Sequence, residues 1–452
     1  MGIFLRLLLV VFIGSFGTGL LGQDGATSGS STPLITAADT LPADHPNLLP
    51  YRTQRSWYNH LLALPSTIWT LPWKPIGESI IWMEQNRIDE RLIAIFFNAD
   101  TIGLRLFPIA TIGGSTPFTL GLTAMHNNLW GKRQTLRARG LIFNDKNFNT
   151  SLSYIVPRFF SPAVYFRIDG GLYRDSDENL FFDPQTPPER VRNGFLAAGT
   201  LIDPLESSYS NRRAEVGARM SFQATGQVRL RAFSTWQDNH AGLGEEADNP
   251  EEETPFPTEL PGYERSRLFS AGGGVSLHLS EGWPRRIGGA DLDFSYSFNT
   301  DADGDRFGFH RYRFSFAQFI PIPLLKPNRR LALRGIYERV APMANKTIPF
   351  FELPVLGSSR TLRGFERRRF MGRNAILFNI EYRYPIWDTF DAVLFVDEGT
   401  VFDREEALRL KRFQTAVGTG FRIMSRSGFL MRTEVAVSAE GPRFIFRLSP
   451  IF

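Results

Sequence analysis

Apolar and polar residues alternate along the chain from about Thr101 onward, and this alternation constrains the fold more than any other feature of the sequence. A period of two is typical of β-strands whose two faces meet different surroundings. The segment 290–299 shows the pattern best, with Leu292, Phe294, Tyr296 and Phe298 between Asp291, Asp293, Ser295, Ser297 and Asn299. The alternation therefore predicts an all-β chain over most of its length.

Arginines recur on the polar face of these strands, and they discriminate between two all-β folds. In a soluble sandwich the apolar face packs on a core, whereas in an outer-membrane barrel it meets lipid and the polar face lines the lumen. Charge that returns on one face along the whole chain suits a hydrated lumen better. The arginines concerned are Arg137, Arg139, Arg229, Arg231, Arg311, Arg313, Arg443 and Arg447. We therefore predict a transmembrane antiparallel β-barrel over residues 99–452.

About sixteen strands can be placed in this region, which is an even number, as bacterial single-chain barrels require. Their predicted starts lie near Gly103, Thr116, Gln134, Phe148, Ala163, Tyr209, Gly226, Arg267, Gly288, Phe309, Arg329, Arg373, Asp391, Lys411, Gly428 and Pro442.

The connections between these strands fall into two alternating classes. One class is short and includes 224–226, 385–389 and 425–428, while the other holds the long insertions 174–208, 239–266 and 341–372. Outer-membrane barrels have short periplasmic turns and longer outer loops. The long insertions are therefore predicted to be outer loops.

The first hundred residues differ from the barrel region. Residues 1–22 have the positive start and short apolar run of a secretory signal peptide, for which an uncleaved membrane anchor is the alternative. Residues 23–74 are rich in Pro, Ser and Thr and predict an irregular lead. Residues 75–98 predict a short amphipathic helix, which either packs at the periplasmic mouth or acts as a plug.

Several classes of function find no support in the residues. The chain has no cysteine, and its six histidines show no metal-binding spacing, so no metal site, cofactor or enzymatic centre is predicted. The net charge of +5 does not indicate nucleic-acid binding, because the arginines are spread along strands. Asp301, Asp303 and Asp305 could form a calcium loop, but acidic residues are equally expected in an outer turn.

The long segment before the twelfth predicted strand contains the sequence Leu362, Arg363, Gly364 and Phe365. Together with NIEYRYP at 379–385, LFVDEGTVFD at 394–403 and VGTGFR at 417–422, it resembles the BamA/TamA outer-membrane assembly family, or bacterial surface antigen family. Members carry a VRGF-like motif on an outer loop that folds back into the lumen. The resemblance is specific over about the last hundred residues, and Leu362 replaces the family's Val.

Strand parity offers partners for the arginine of this motif. Glu381 and Asp397 fall on the polar faces of their strands, so an arginine that enters the lumen could form bidentate hydrogen bonds with one or both. The resemblance implies that Arg363 pairs with both carboxylates, and the alternative is three separate solvated charges. Gly364 would let the loop approach the wall closely because it lacks a Cβ.

The C-terminus carries a second motif. Phe444, Phe446, Leu448 and Phe452 alternate and end in an aromatic residue, which resembles the recognition strand of proteins delivered to the barrel assembly machinery. Pro450 cannot donate a backbone hydrogen bond. It would weaken pairing between the last strand and the first, the seam that opens in the mechanism proposed for this family.

The resemblance implies a part in outer-membrane protein or lipid biogenesis in a Gram-negative bacterium, with outer-membrane lipid and possible assembly subunits as partners. Residues 23–98 show no βααββ pattern, so a member without POTRA domains is expected. A porin-like transport channel and a structural surface antigen are the alternatives. A loop folded into the lumen would favour the first function over an open channel.

Overall fold

A computed structural model describes residues 104–113, 118–143, 147–182, 205–244, 258–280, 288–322, 329–387, 390–403, 412–424 and 430–448. The predicted signal peptide, irregular lead and amphipathic helix lie outside the described residues. Within these ranges no helix is both long and apolar enough to cross a membrane.

Sixteen antiparallel strands close into a barrel, and this confirms the predicted fold. They are β1 (Leu104–Gly113), β2 (Thr119–Leu129), β3 (Gln134–Phe143), β4 (Asn147–Pro157), β5 (Val164–Phe182), β6 (Leu205–Gln223), β7 (Val228–Leu243), β8 (Glu264–His278), β9 (Gly289–Asp301), β10 (Gly308–Pro321), β11 (Arg330–Pro342), β14 (Asn374–Trp387), β15 (Phe390–Phe402), β16 (Gln414–Met424), β17 (Leu430–Ser438) and β18 (Gly441–Arg447). A separate two-residue pair, β12 (Val355–Leu356) and β13 (Phe370–Met371), lies in the segment between β11 and β14.

The two faces of the wall differ as the alternation predicts. Leu172, Val216 and Phe294 are among many apolar side chains exposed on the outside. Polar side chains next to them in sequence lie on the inner face, as with Asp293, which binds Arg231, beside Phe294. An apolar outer surface with a polar inner surface suits a barrel surrounded by lipid.

The longest strands correct two predicted loop boundaries. β5 and β6 have 19 residues each and extend into the predicted loop 174–208, and β7 and β8 likewise extend into 239–266. These strand ends carry polar residues on both faces, for example Arg174 beside Asp175. A strand that runs beyond the lipid needs no apolar outer face, so its sequence resembles a loop.

The barrel closes between its first and last strands, and in the described chain this seam is short. Only three residue pairs join β1 to β18 in the described chain, at Thr111, Ile112 and Gly113. By contrast, β1 and β2 share eight pairs and β17 and β18 share seven. The Leu448 amide adds one hydrogen bond of 3.3 Å to the carbonyl oxygen of Ala110.

Candidate functional site

The segment between β11 and β14 runs along the inner wall, and we call residues 349–371 the inner loop. It begins with one turn of 3-10 helix, Phe350–Glu352, and is held together by the β12–β13 pair. Phe350 is fully buried and packs edge-on against Tyr209 of β6, with ring centroids 4.8 Å apart. Inward side chains of the barrel therefore hold the start of the loop.

Arg363 lies at the centre of the inner loop and is completely buried. Its Nε and Nη2 donate to the two oxygens of Asp397, each at 2.6 Å, and its backbone amide donates to Asp397 at 3.1 Å. Its Nη1 donates to Glu381 at 3.0 Å and to Glu434 at 3.1 Å. The structure thus brings Arg363 together with both predicted carboxylates and adds a third, Glu434.

An aromatic ring completes the surroundings of this guanidinium. The Cζ atom of Arg363 lies 3.5 Å from the ring centroid of Phe395, a cation–π contact. Phe395 can occupy this place because Gly418 on the adjacent strand has no side chain. A Cβ at Gly418 would overlap the Phe395 ring and the Val435 carbonyl oxygen. This close packing is a physical reason for the glycine in VGTGFR.

The charge of Arg363 is stabilised in this site. Burial would by itself lower its pKa, but the adjacent Asp397 and Glu434 carboxylates outweigh that effect and the pKa is raised well above its usual value. Arg363 therefore stays charged, and its contribution is the bidentate, charge-assisted binding of carboxylates.

Further arginines on the wall share these carboxylates, and sequence reasoning missed them. Arg422 donates to both oxygens of Glu381 at 2.7 Å, and Arg383 donates to one of them at 2.9 Å. Arg432 lies 3.3 Å from Glu434. Their alternate positions along each strand place these arginines on an inner face. Only the register between neighbouring strands brings them to the same carboxylates.

The two residues after Arg363 fix the loop against the wall. Gly364 has φ +87°, which favours glycine, and a Cβ there would lie 3.2 Å from the Cβ of Ser438. The carbonyl oxygen of Gly364 accepts hydrogen bonds from Ser438 at 2.6 Å and from Arg443 at 3.2 Å. Phe365 is buried and packs against Phe370. The loop is therefore fastened to β17 and β18.

A second cluster of charges lies at the opposite wall. Arg367 donates to Asp175 at 3.1 Å, to Glu178 at 3.1 Å and to the Tyr173 hydroxyl at 3.0 Å. These three partners belong to β5, whereas Arg363 contacts β14, β15 and β17. One loop therefore contacts inner faces that lie far apart in the strand order.

We expect Arg367→Gln to loosen only this second contact. Asp175 and Glu178 are almost completely buried, so loss of the cation leaves two poorly solvated carboxylates. The free energy of unfolding should fall by about 1–3 kcal/mol, measured by urea denaturation in detergent. A matched control is Arg265→Gln, whose exposed pair with Asp238 should contribute under about 1 kcal/mol. Equal losses in both variants would contradict a specific role for Arg367.

The predicted C-terminal residues fall partly within the described chain. Phe444 is exposed on the outer face, and Phe446 shares its parity and pairs with Ile112 across the seam. Leu448 follows β18 and makes the hydrogen bond to Ala110 described above. Pro450 and Phe452 lie outside the described residues.

Each aspartate of the proposed calcium turn lies beside a cation. Asp303 accepts a hydrogen bond of 2.9 Å from Arg267, Asp305 pairs with Lys346, and Asp301 lies 3.6 Å from Arg306. In the part of the chain that the structure describes, no group of three or more metal-binding side chains occurs.

A protein-family comparison assigns these features to one superfamily. The Omp85 superfamily domain matches residues 128–443, which is more than half of the chain. This chain belongs to the Omp85 superfamily. It is therefore an Omp85-type outer-membrane β-barrel, in agreement with the family resemblance of the LRGF segment.

Solved structures support the same fold. BamA from Haemophilus ducreyi, lacking POTRA domains 1–3, matches with a TM-score of 0.56 and 14% identity, over 76% of this chain and 70% of that one. CdiB from Escherichia coli matches with a TM-score of 0.50 and 12% identity, over 76% of this chain and 62% of that one. This chain thus spans less than two thirds of the length of CdiB. No curated protein matches in sequence.

Proposed function

We propose that this Omp85 barrel takes part in outer-membrane protein or lipid biogenesis, and that the seam between β1 and β18 is its working site. The observation that carries the proposal is the attachment of the inner loop beside this seam. Ser438 of β17 and Arg443 of β18 both bind the Gly364 carbonyl oxygen, while among the described residues β18 has only three partners on β1. The loop thus braces the last strands where the wall is weakest.

Among the strand pairs of the barrel wall, a seam with three described residue pairs can open at the lowest cost, because fewer backbone hydrogen bonds must break. An opened seam exposes unpaired strand edges, and such edges bind further β-strands. It also opens the polar lumen sideways to lipid. A nascent barrel strand and a polar lipid headgroup are therefore the two substrates that this geometry suits.

A pair of cysteines across the seam tests the proposal. The chain has no cysteine, so Ile112→Cys with Phe446→Cys introduces a single possible disulfide between Cα partners. We expect the oxidised variant in proteoliposomes to lose its ability to speed insertion of an unfolded client barrel, and reduction to restore it. The control lock, Thr419→Cys with Val435→Cys, joins an ordinary strand pair and should have no effect. Equal activity with and without the seam lock would refute the proposal.

Conductance distinguishes the transport channel from the assembly function. The inner loop contacts inner faces that lie far apart in the strand order, so we expect little steady current through the unmodified protein in a planar bilayer. A large, ohmic current would favour a porin-like channel. A barrel that neither conducts nor speeds insertion would favour the structural surface antigen.

A further inference from the structure

Two buried arginines, Arg432 and Arg447, lie side by side on the inner wall at the seam, and two further arginines lie within electrostatic range; we call the four the seam arginine cluster. Arg432 and Arg447 are Cα partners on β17 and β18, and Arg447 pairs with Thr111 of β1. Arg360 of the inner loop and Arg139 of β3 lie within electrostatic range of Arg447. The cluster thus joins three parts of the chain: the loop, the last strands and the third strand.

Most hydrogen-bond donors of the two buried members are unused. Arg432 is fully buried and Arg447 is 6% exposed. Arg432 donates to the Ser359 carbonyl oxygen at 2.7 Å, and Arg447 donates to the Ser359 hydroxyl at 2.6 Å. Each guanidinium carries five N–H donors. In the described chain the Nη1 of Arg432 and the Nε of Arg447 are buried without a hydrogen-bond acceptor, and the Nε of Arg432 has only the Glu434 carboxylate, at 3.3 Å.

The positive charge of the cluster is also poorly compensated. Among the described residues its only carboxylate neighbour at ion-pair distance is Glu434, which also pairs with Arg363 and lies 3.7 Å from Arg422. Arg139 and Arg360 form no ion pair in the described chain. Desolvation by the surrounding wall and then the charge of Arg139 lower the pKa of Arg360. The cluster therefore carries more positive charge than the described carboxylates around it neutralise.

We propose that the seam arginine cluster binds a phosphate group. Guanidinium groups recognise phosphate by paired, charge-assisted hydrogen bonds, and several phosphate oxygens can use donors from several arginines. Arg360 is exposed to the lumen and Arg139 is partly exposed, so a ligand can reach the cluster from inside. Arg432 and Arg447 form the buried floor. The proposal does not depend on the assembly function, because it concerns binding alone.

Calorimetric titration with inorganic phosphate in a zwitterionic detergent tests the site, at constant ionic strength adjusted with sodium chloride. We expect saturable binding of one phosphate per barrel. Arg360→Gln and Arg447→Gln should each weaken it by about tenfold or more, since each removes charged hydrogen bonds. The control is Arg229→Gln, which removes an inner-wall charge whose side chain, in the described chain, bonds only Gln223. It should leave binding unchanged.

Three results would overturn the proposal: no saturable binding, binding that both cluster variants leave intact, or an equal loss in Arg229→Gln. If Arg447→Gln fails to fold, Arg360→Gln decides alone, because its side chain makes no hydrogen bond or ion pair in the described chain. A second titration identifies the source of the phosphate. If phosphatidic acid in nanodiscs displaces the inorganic phosphate and phosphatidylcholine does not, the site binds a lipid headgroup. If neither lipid displaces it, the site binds a soluble anion.

Discussion

Arg363→Ala should cost the barrel about 3–5 kcal/mol of unfolding free energy, as expected when one partner of a buried ion pair is removed. The arginine is completely buried and so are Asp397 and Glu381, with Glu434 only 1% exposed. Asp397 alone loses two side-chain hydrogen bonds, and its burial keeps water from replacing them. The upper half of the range is therefore expected. Urea unfolding in detergent measures the loss, and limited proteolysis should show new cleavage within 349–371.

Arg363→Lys should restore only part of this stability. A lysine keeps the charge, but a point ammonium cannot bind both Asp397 oxygens and stack on Phe395 together. Arg313→Ala is a matched control, since Arg313 also pairs with a carboxylate on the inner wall but is half-exposed. Its loss should be under about 1 kcal/mol. If Arg363→Ala unfolds at the same urea concentration as the control, the inner loop does not depend on this arginine.

Gly418→Ala should destabilise the protein by about 3 kcal/mol, the upper end of the cost of overpacking. The added methyl group would overlap the Phe395 ring and the Val435 carbonyl oxygen. The ring can turn aside, but the carbonyl oxygen belongs to the neighbouring strand and cannot move without disturbing the ladder. Displacement of Phe395 also removes the surface on which Arg363 stacks. We therefore expect both a lower unfolding free energy and faster proteolysis of the inner loop.

Gly140→Ala separates this packing effect from the general effect of replacing a strand glycine. Gly140 lies within β3, and a Cβ there would meet nothing within 4 Å. This control should leave stability unchanged or slightly raised, because alanine reduces the freedom of the unfolded chain. Similar proteolysis of the inner loop in both variants would contradict the proposed role of Gly418.

Strand parity accounts for most of what the sequence predicted correctly. All sixteen predicted strand starts lie within about four residues of the observed ones, the largest difference being Tyr209 against Leu205. The alternation of apolar and polar residues depends only on which face of a strand meets lipid, so the sequence of a single strand is enough to show it. The same reasoning places Glu381 and Asp397 inside, where the structure brings them to Arg363.

The rest of the site depends on information that no single strand contains. Glu434, Arg422 and Phe395 reach Arg363 and its carboxylates only because four strands align in one register. Arg367 binds Asp175 of β5, and the sequence of the loop does not indicate this partner. Charged residues on both faces also made the ends of β5 and β6 resemble loops.

Two of the contacts that hold the inner loop have a consequence for how fast the chain folds. Arg367 and Asp175 are 192 residues apart, and Arg363 and Glu434 are 71 residues apart. Contacts between such distant residues form slowly, because the intervening chain must first lose its freedom. The inner loop can reach its final position only after β5 and β17 have paired with their neighbours in the barrel wall. The inner loop must therefore dock late in folding. Until it docks, the interior of the forming barrel lacks the loop.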